Sequence, residues 1–404
     1  NNLVMYVLLF FLCLLRGRAS VFELSVRIVG RVLMYVDDVL GVCLRKHLDA
    51  NLAEVDNFLT DLLGPTAVAG HKTESGRRLT EIGYTIDLDS HLVEISERNV
   101  AKALVGFLEA APAGRTTRRE MERLASWASR YGEICIYIRP FNRALYNSYL
   151  GRHRAAVFTL RDDELRAVRI IRLLLLMTAV EPRAFCRSLE SFREQSATVI
   201  IEFDASLSGI GLIWYSINPD GEEYPIGALS VDIISMGFGQ DPQYQNTAEF
   251  VAATLGILGI LHLGLEGCAV TMRGDSMSAL CWATSLRFKG NRTSNAALVF
   301  TLLLVQTEIT VVGYEFLTSQ QNVRTDRLSR GDTVEAASRD FVDLRNVPTL
   351  VFPAAIEQAL LDCHPSLELC DDTAFADLWK RLMNMRALVP VLLTALPEYY
   401  CEQY

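Results

Sequence analysis

Paired cysteines are what this 404-residue chain most lacks. Its nine cysteines (13, 43, 135, 186, 268, 281, 363, 370 and 401) include no Cys-x-x-Cys pair, and its six histidines are equally dispersed. That scatter indicates neither a zinc site nor a disulfide scaffold and fits a reducing, intracellular setting, cytoplasm or nucleus. Membrane-length apolar runs are missing too. Leu3 to Leu15 is uniformly apolar but 13 residues long, is followed by Arg16 and Arg18, and has no basic segment before it. It is short for a span and wrongly flanked for a secretory signal, so it reads as a buried helix, and no membrane partner is expected. The chain begins with Asn, not Met, which fits a fragment of a longer protein. Acidic residues are scarce at the start: residues 1–36 hold no Asp, and Glu23 is their sole acid.

What is present describes an ordered globular chain of two or three domains, with 50% hydrophobic and 22% charged residues. The net charge of −9 is unevenly spread. Residues 1–160 carry 20 Lys+Arg against 17 Asp+Glu, whereas the remainder carry 19 against 31. Residues 98–154 hold 11 basic and 4 acidic side chains, a region where a polyanion could dock on an acidic protein.

Two adjacent acids stand out early. Tyr35-Val36-Asp37-Asp38 lies between the apolar runs Val32–Met34 and Val39–Val42, which reads as a β-hairpin with both carboxylates at its tip. Adjacent like charges are costly unless a cation neutralises them, so the pair points to a divalent metal. Apolar spacing predicts a helix over 47–63, stopped by Gly64-Pro65. Lys72 follows in a polar loop. Leu79–Leu88 alternates as a strand around Gly83-Tyr84, and Leu92–Ile95 completes a second hairpin. Residues 100–110 and 118–138 look helical, with Arg118, Arg119, Arg123 and Arg130 interleaved with Trp127 and Tyr131. Such a surface suits the backbone of a nucleic-acid duplex, and equally an amphipathic bundle with solvated arginines. A helix over 163–178 and a polar link over 186–197 come next.

From residue 197 the pattern becomes three strands (199–203, 212–217 and 224–231), a helix over 246–263, a strand over 269–272, helices near 276–284 and 293–306, a strand over 309–316, and a last helix opened by Asp326. Asp204 ends the first strand, Glu249 sits in the first turn of the long helix, and Asp275 follows the fourth strand. Strand ends and helix starts can share one sheet edge, where four carboxylates would hold two divalent ions ~4 Å apart for phosphodiester hydrolysis. Each acid also has a plainer account. Asn246-x-x-Glu249 reads as a capping box, and Asp275 and Asp326 read as caps of the helices beside them.

Taken in order, Phe203-Asp204-Ala205-Ser206, Gly209-Ile210-Gly211, Thr247-Ala248-Glu249, Gly274-Asp275-Ser276 and Asn322 to Arg330 resemble the ribonuclease H domain of retroelement polyproteins. Tyr35–Asp38 is similar to motif C of the reverse transcriptase palm, and Ile82-Gly83-Tyr84 to the segment supporting a primer end. Arg139 to Tyr146 is similar to the thumb of DIRS-like, tyrosine-recombinase retrotransposons. The resemblance covers about residues 31–332. It implies an α+β palm fragment over 1–97 and a helical thumb-like connection over 98–185. An α/β ribonuclease H-like domain with a mixed five-stranded sheet would follow over 197–332, and 333–404 stays without a role. It further implies Mg²⁺ (or Mn²⁺) on Asp204, Glu249, Asp275 and Asp326, and in the palm on Asp37 and Asp38, with Lys72 protonating pyrophosphate. Tyr35, Gly83, Tyr84 and the four arginines would touch nucleic acid. The implied partners are an RNA–DNA hybrid, a template-primer and, in the complete parent, a dNTP. The chain departs from the family twice. Motif A and its acid are missing, so DNA synthesis is expected to be absent or weak. The loop before Asp326 reads Leu317-Thr318-Ser319-Gln320-Gln321 where relatives often carry His-x-x-Gly.

Overall fold

The computed structural model describes residues 3–9, 30–35, 38–65, 73–153, 156–180, 186–192, 195–234, 244–288, 293–351, 353–365, 367 and 372–383. They fall into two compact units, one within 1–100 and 183–192, the other within 101–182 and 193–404.

In the first unit, β1 (Leu3–Leu9), β2 (Gly30–Tyr35) and β3 (Asp38–Leu44) are followed by α1 (Leu48–Leu63) and β4 (Glu74–Gly76). The sheet order is β2-β3-β1-β4. The hairpin read from the sequence is present, with Tyr35 registered against Asp38. The expectation of a helix in the opening apolar run is corrected: β1 is a strand, hydrogen-bonded antiparallel to β3 on one edge and β4 on the other. A central strand needs no polar alternation, so its continuous apolar run cannot be told from a buried helix by periodicity.

A second sheet holds β5 (Arg78–Glu81), β6 (Tyr84–Asp87) and β7 (Leu92–Ile95). The single strand expected over 79–88 is two strands, reversed at Ile82 and Gly83, both at positive φ (52° and 86°). That backbone matches the right-handed twist of tight hairpins. The polar link expected over 186–197 also differs. Cys186–Ser188, the tenth strand in chain order (β10), pairs antiparallel with β7 and leads into a 3-10 turn over Leu189–Phe192.

The second unit begins within α2 (Glu97–Glu109), then β8 (Arg115–Thr117), α3 (Arg118–Tyr131), α4 (Arg139–Tyr149), β9 (Val157–Thr159) and α5 (Asp162–Val180). The helix expected over 118–138 ends at Tyr131. Pro140 is accommodated in the first turn of α4, where its missing N–H costs nothing, and the Arg139 guanidinium donates to the Gly132 carbonyl at the end of α3.

The five-stranded sheet has the order β13-β12-β11-β14-β15. β11 (Val199–Ala205), β12 (Gly209–Ile217) and β13 (Glu223–Asp232) form an antiparallel meander, while β14 (Ala269–Gly274) and β15 (Thr310–Phe316) run parallel to β11 on its other side. One face is covered by α6 (Gln245–His262), which lies so close that a Cβ on Gly259 would sit 2.1 Å from Trp214. Around it stand α7 (Met277–Ser285), which buries Ala279, Leu280 and Ala283, and α8 (Ser294–Thr307), apolar on nearly every side because it is enclosed. The opposite face buries Ile200, Ile213, Tyr215 and Ala228 against Leu328 of α9 (Val323–Ser329), Val334 and Ala337 of α10 (Val334–Ser338), and Leu344. Thr349 then bridges to Ala228 beside β13. Further on, α11 (Pro353–Cys363) and α12 (Asp372–Met383) pack on α8, and Trp379 sets its ring edge to Tyr137 at 5.7 Å. The residues after 333 therefore contribute to the core of this unit.

Candidate active site

Parallel strands place their carboxyl ends on the same edge of a sheet, which is where open α/β sheets bind ligands. Here β11 delivers Asp204 to that edge, β14 hands over to Asp275, and β15 leads through the 317–322 loop into α9. Helix α6 crosses the sheet and carries Glu249 to the same place. One oxygen from each of Asp204, Glu249 and Asp275 lies within 4.8 Å of the other two. Asp204 and Glu249 are buried, at 5% and 6% exposure.

Capping explains none of the three helix-associated acids. The helix containing Glu249 starts one residue earlier than expected, with Tyr244 at the cap position and no side chain capping it, so Glu249 lies in the second turn, two positions further in than a capping box requires. Ser276, not Asp275, caps α7 by accepting from the Ala279 amide. Asn322 occupies the cap position of α9, leaving Asp326 inside the helix.

Each carboxylate of the cluster has a neutral partner. Asp204 accepts from Asn322 Nδ2 on Oδ1 (3.1 Å) and from Ser329 Oγ on Oδ2 (2.6 Å). Glu249 Oε1 accepts from Gln245 Nε2 (3.1 Å), and Asp275 Oδ2 accepts from Ser319 Oγ (3.0 Å). Glu249 Oε2 is buried without a hydrogen-bond partner. Burial pushes Glu249 up to about 9, and the charges of Asp204 and Asp275 push the same way. Burial likewise raises Asp204 to about 6, against the pull of its bond from Ser329. Three oxygen donors, one of them an orphan in a low-dielectric pocket, are a hard-cation donor set, and Mg²⁺ or Mn²⁺ fits it.

The fourth expected acid stands apart. Asp326 is near enough to raise Asp204 by its charge, but its Oδ1 is held by Arg330 at 2.7 Å, and it is not among the three converging groups. Of the other predicted residues, Asp38 opens β3 and Tyr35 closes β2, while Asp37 and Lys72 lie outside the described residues. Gly83 sits in the tight turn and accepts from the Ser96 amide (3.0 Å), and Tyr84 begins β6. On α3, Arg118 pairs with Glu122 (2.8 Å) and bonds the Arg152 carbonyl, whereas Arg119, Arg123 and Arg130 are exposed. The Arg123 guanidinium lies 5.2 Å from the centre of the Trp127 ring.

Sequence reasoning assigned no part to Gln245, Ser319, Asn322 or Ser329. A signal existed for two of them: Asn322, Asp326 and Ser329 stand at i, i+4 and i+7, one face of a helix.

No protein-family model matches the chain, and no curated protein sequence does. Among solved structures, a foamy viral protease-reverse transcriptase in complex with double-stranded DNA aligns over 71% of this chain and 46% of its own, at 16% identity and a TM-score of 0.33. A foamy viral protease-reverse transcriptase in complex with an RNA/DNA hybrid aligns over 80% of this chain and 37% of its own, at 15% identity and a TM-score of 0.29. LC11-RNase H1, isolated from compost, aligns over 36% of this chain and 99% of its own, at 16% identity and a TM-score of 0.27. This chain thus spans less than half the length of the viral proteins it is similar to. Likenesses this distant decide nothing about activity, and the chemistry rests on the chain's own side chains.

Proposed function

We propose that this chain cleaves the RNA strand of an RNA–DNA hybrid by metal-assisted hydrolysis of a phosphodiester. The observation that carries the reading is the convergence of Asp204, Glu249 and Asp275 from three separate elements to within 4.8 Å, with Glu249 Oε2 left unpartnered. These three would hold Mg²⁺ or Mn²⁺, and Asp326 would join them once its ion pair with Arg330 opens. When bound, the ion supplies Lewis-acid stabilisation of charge on the phosphoryl oxygens and a more acidic water. The protein's own part begins with a proton. Glu249 keeps one up to a pH of about 9 in the metal-free fold, so loading the site requires its release. Arg119 and Arg123, exposed on one face of α3 with Trp127 beside them, would contact the hybrid's phosphates, and recognition would rest on groove shape and 2′-hydroxyls.

The first unit is read as part of a reverse transcriptase palm, in which Asp37 and Asp38 would bind metal and Lys72 would serve as the acid. In the register of β1 with β3, Leu9 stands across from Asp38. Two adjacent acids with no third carboxylate on the neighbouring strand make a poor site for nucleotide transfer, so the activity of this chain is assigned to hydrolysis.

The test is cleavage of a labelled RNA–DNA hybrid with Mg²⁺ or Mn²⁺, with Asp275→Asn as control. Cleavage abolished by that change is the expected result. Hybrid binding without cleavage in the unaltered chain would refute the assignment and leave a nucleic-acid-binding remnant.

A further inference from the structure

We propose that Asn322 and Ser329 are positioning residues that clamp both oxygens of Asp204 and so set the affinity of the site for a divalent ion. This deepens the metal-site reading above and rests on it.

Asp204 is the penultimate residue of β11, paired with Gly211 on one side but beyond Glu202, the last residue of the strand that pairs with β14. It is nevertheless gripped on both oxygens, Oδ1 by Asn322 Nδ2 at 3.1 Å and Oδ2 by Ser329 Oγ at 2.6 Å. The donors themselves are immobilised. Asn322, Thr325 and Ser329 are buried, at 1%, 0% and 0% exposure. Thr325 Oγ1 donates to Asn322 Oδ1 at 2.7 Å, which commits the amide oxygen and turns the NH₂ toward Asp204. Ser329 Oγ also lies 2.8 Å from the Asp326 carbonyl, but a hydroxyl has one proton, and the carboxylate is the stronger acceptor. Each oxygen of Asp204 keeps a lone pair for an ion after these bonds are made.

The clamp needs α9 pressed against the sheet, and the strand permits it. A Cβ on Gly211, the residue registered against Asp204, would sit 2.2 Å from the Thr325 carbonyl oxygen and 2.7 Å from Leu328 Cβ. From the other side α9 is held by Leu328 packed with Val334, Ala337 and Leu344. Oriented carboxylates bind metal better than mobile ones, because the ordering has already been done in the fold. Loss of such outer partners typically weakens metal affinity about 10–100-fold.

The experiment is a Mn²⁺ titration of the full chain, with free Mn²⁺ read by electron paramagnetic resonance and folding checked by circular dichroism. Ser329→Ala, which removes one oxygen atom, and Thr325→Val, which keeps the shape but frees the Asn322 amide, are each expected to weaken Mn²⁺ binding, Ser329→Ala by about 10-fold or more. Ser230→Ala removes the bond that Ser230 Oγ donates to the Leu328 carbonyl (2.8 Å), which touches no carboxylate, and it leaves in place the Leu328 packing that holds α9, so affinity is expected to be unchanged. Affinity of Ser329→Ala within twofold of the unaltered chain overturns the proposal, as does an equal loss in Ser230→Ala, which would mark a merely structural role. Failure of the underlying reading looks different: the unaltered chain would not bind Mn²⁺ more tightly than Asp204→Asn, and the proposal would fall with it.

Discussion

Consider the protein in EDTA, with no divalent ion to neutralise the cluster. Glu249 has an ordinary value of 4.5 and is pushed to about 9 in the fold. Its folded value lies above its unfolded one, so between those limits the native chain holds a proton that the unfolded chain has released. Stability is then complete below pH 4.5 and falls as pH rises toward 9. From pH 5 to pH 8 one proton is retained throughout, which is worth about 4 kcal/mol. Glu249→Gln keeps the shape and removes the ionisation, so its urea midpoint is expected to fall less with pH and to exceed that of the unaltered chain at pH 8. Glu202, which burial raises to about 7 despite Arg273, and Asp204, raised to about 6, titrate in both proteins, so the difference between them isolates Glu249. Adding Mn²⁺ at pH 8 is expected to restore the unaltered chain and to do little for the variant. The assay is urea unfolding followed by tryptophan fluorescence, for which Trp214 and Trp379, both fully buried, are natural reporters. A midpoint of the unaltered chain that is flat from pH 5 to pH 8, or a variant that tracks it at every pH, would show that Glu249 holds no extra proton in the fold.

Other perturbations have equally definite outcomes. Gly259→Ala would force α6 away from Trp214 and is expected to cost about 2 kcal/mol, measured by the same unfolding experiment. Ending the chain at Asp332 removes Val334, Ala337 and Leu344 from the second face of the sheet, and limited proteolysis is expected to find that product largely unfolded. Replacing Arg119 and Arg123 together by Ala is expected to weaken hybrid binding and to lower the slope of log affinity against log salt by about 1 for each phosphate left without its arginine, with no change in the Mn²⁺ affinity of the carboxylate site.

Much of the fold was legible where its signals are local. Helical spacing placed α1, α5 and α8 to within a residue or two, and β-rich runs bounded by turn residues placed β11 to β15 in order. Failures came where a local signal fits two structures. The run Leu3–Leu9 is apolar at every position, so it carries no period, and hydrogen bonds to β3 and β4 decided it. The helix expected over 118–138 overran because the residues between Tyr131 and Arg139 remain apolar enough to continue the pattern, while Pro140 required a fresh start. Caps misled for a related reason. Asn, Asp and Ser are all competent caps, and Ser276 won the position beside Asp275 by its geometry.

Residue identity and spacing name the groups able to do chemistry here: the four acids, their order, and the kind of element each one ends or enters. Whether they meet was a matter of tertiary structure. Asp204 and Asp275 are 71 residues apart and share an edge because β14 pairs parallel with β11. Asp326, equally plausible as a ligand in the sequence, is ion-paired with Arg330 and is not one of the three acids whose oxygens converge, although its charge reaches Asp204. Residue type is a property of a position, but convergence depends on which strand edges pair and which helices lie close enough to touch, and those choices are made by the whole packed core.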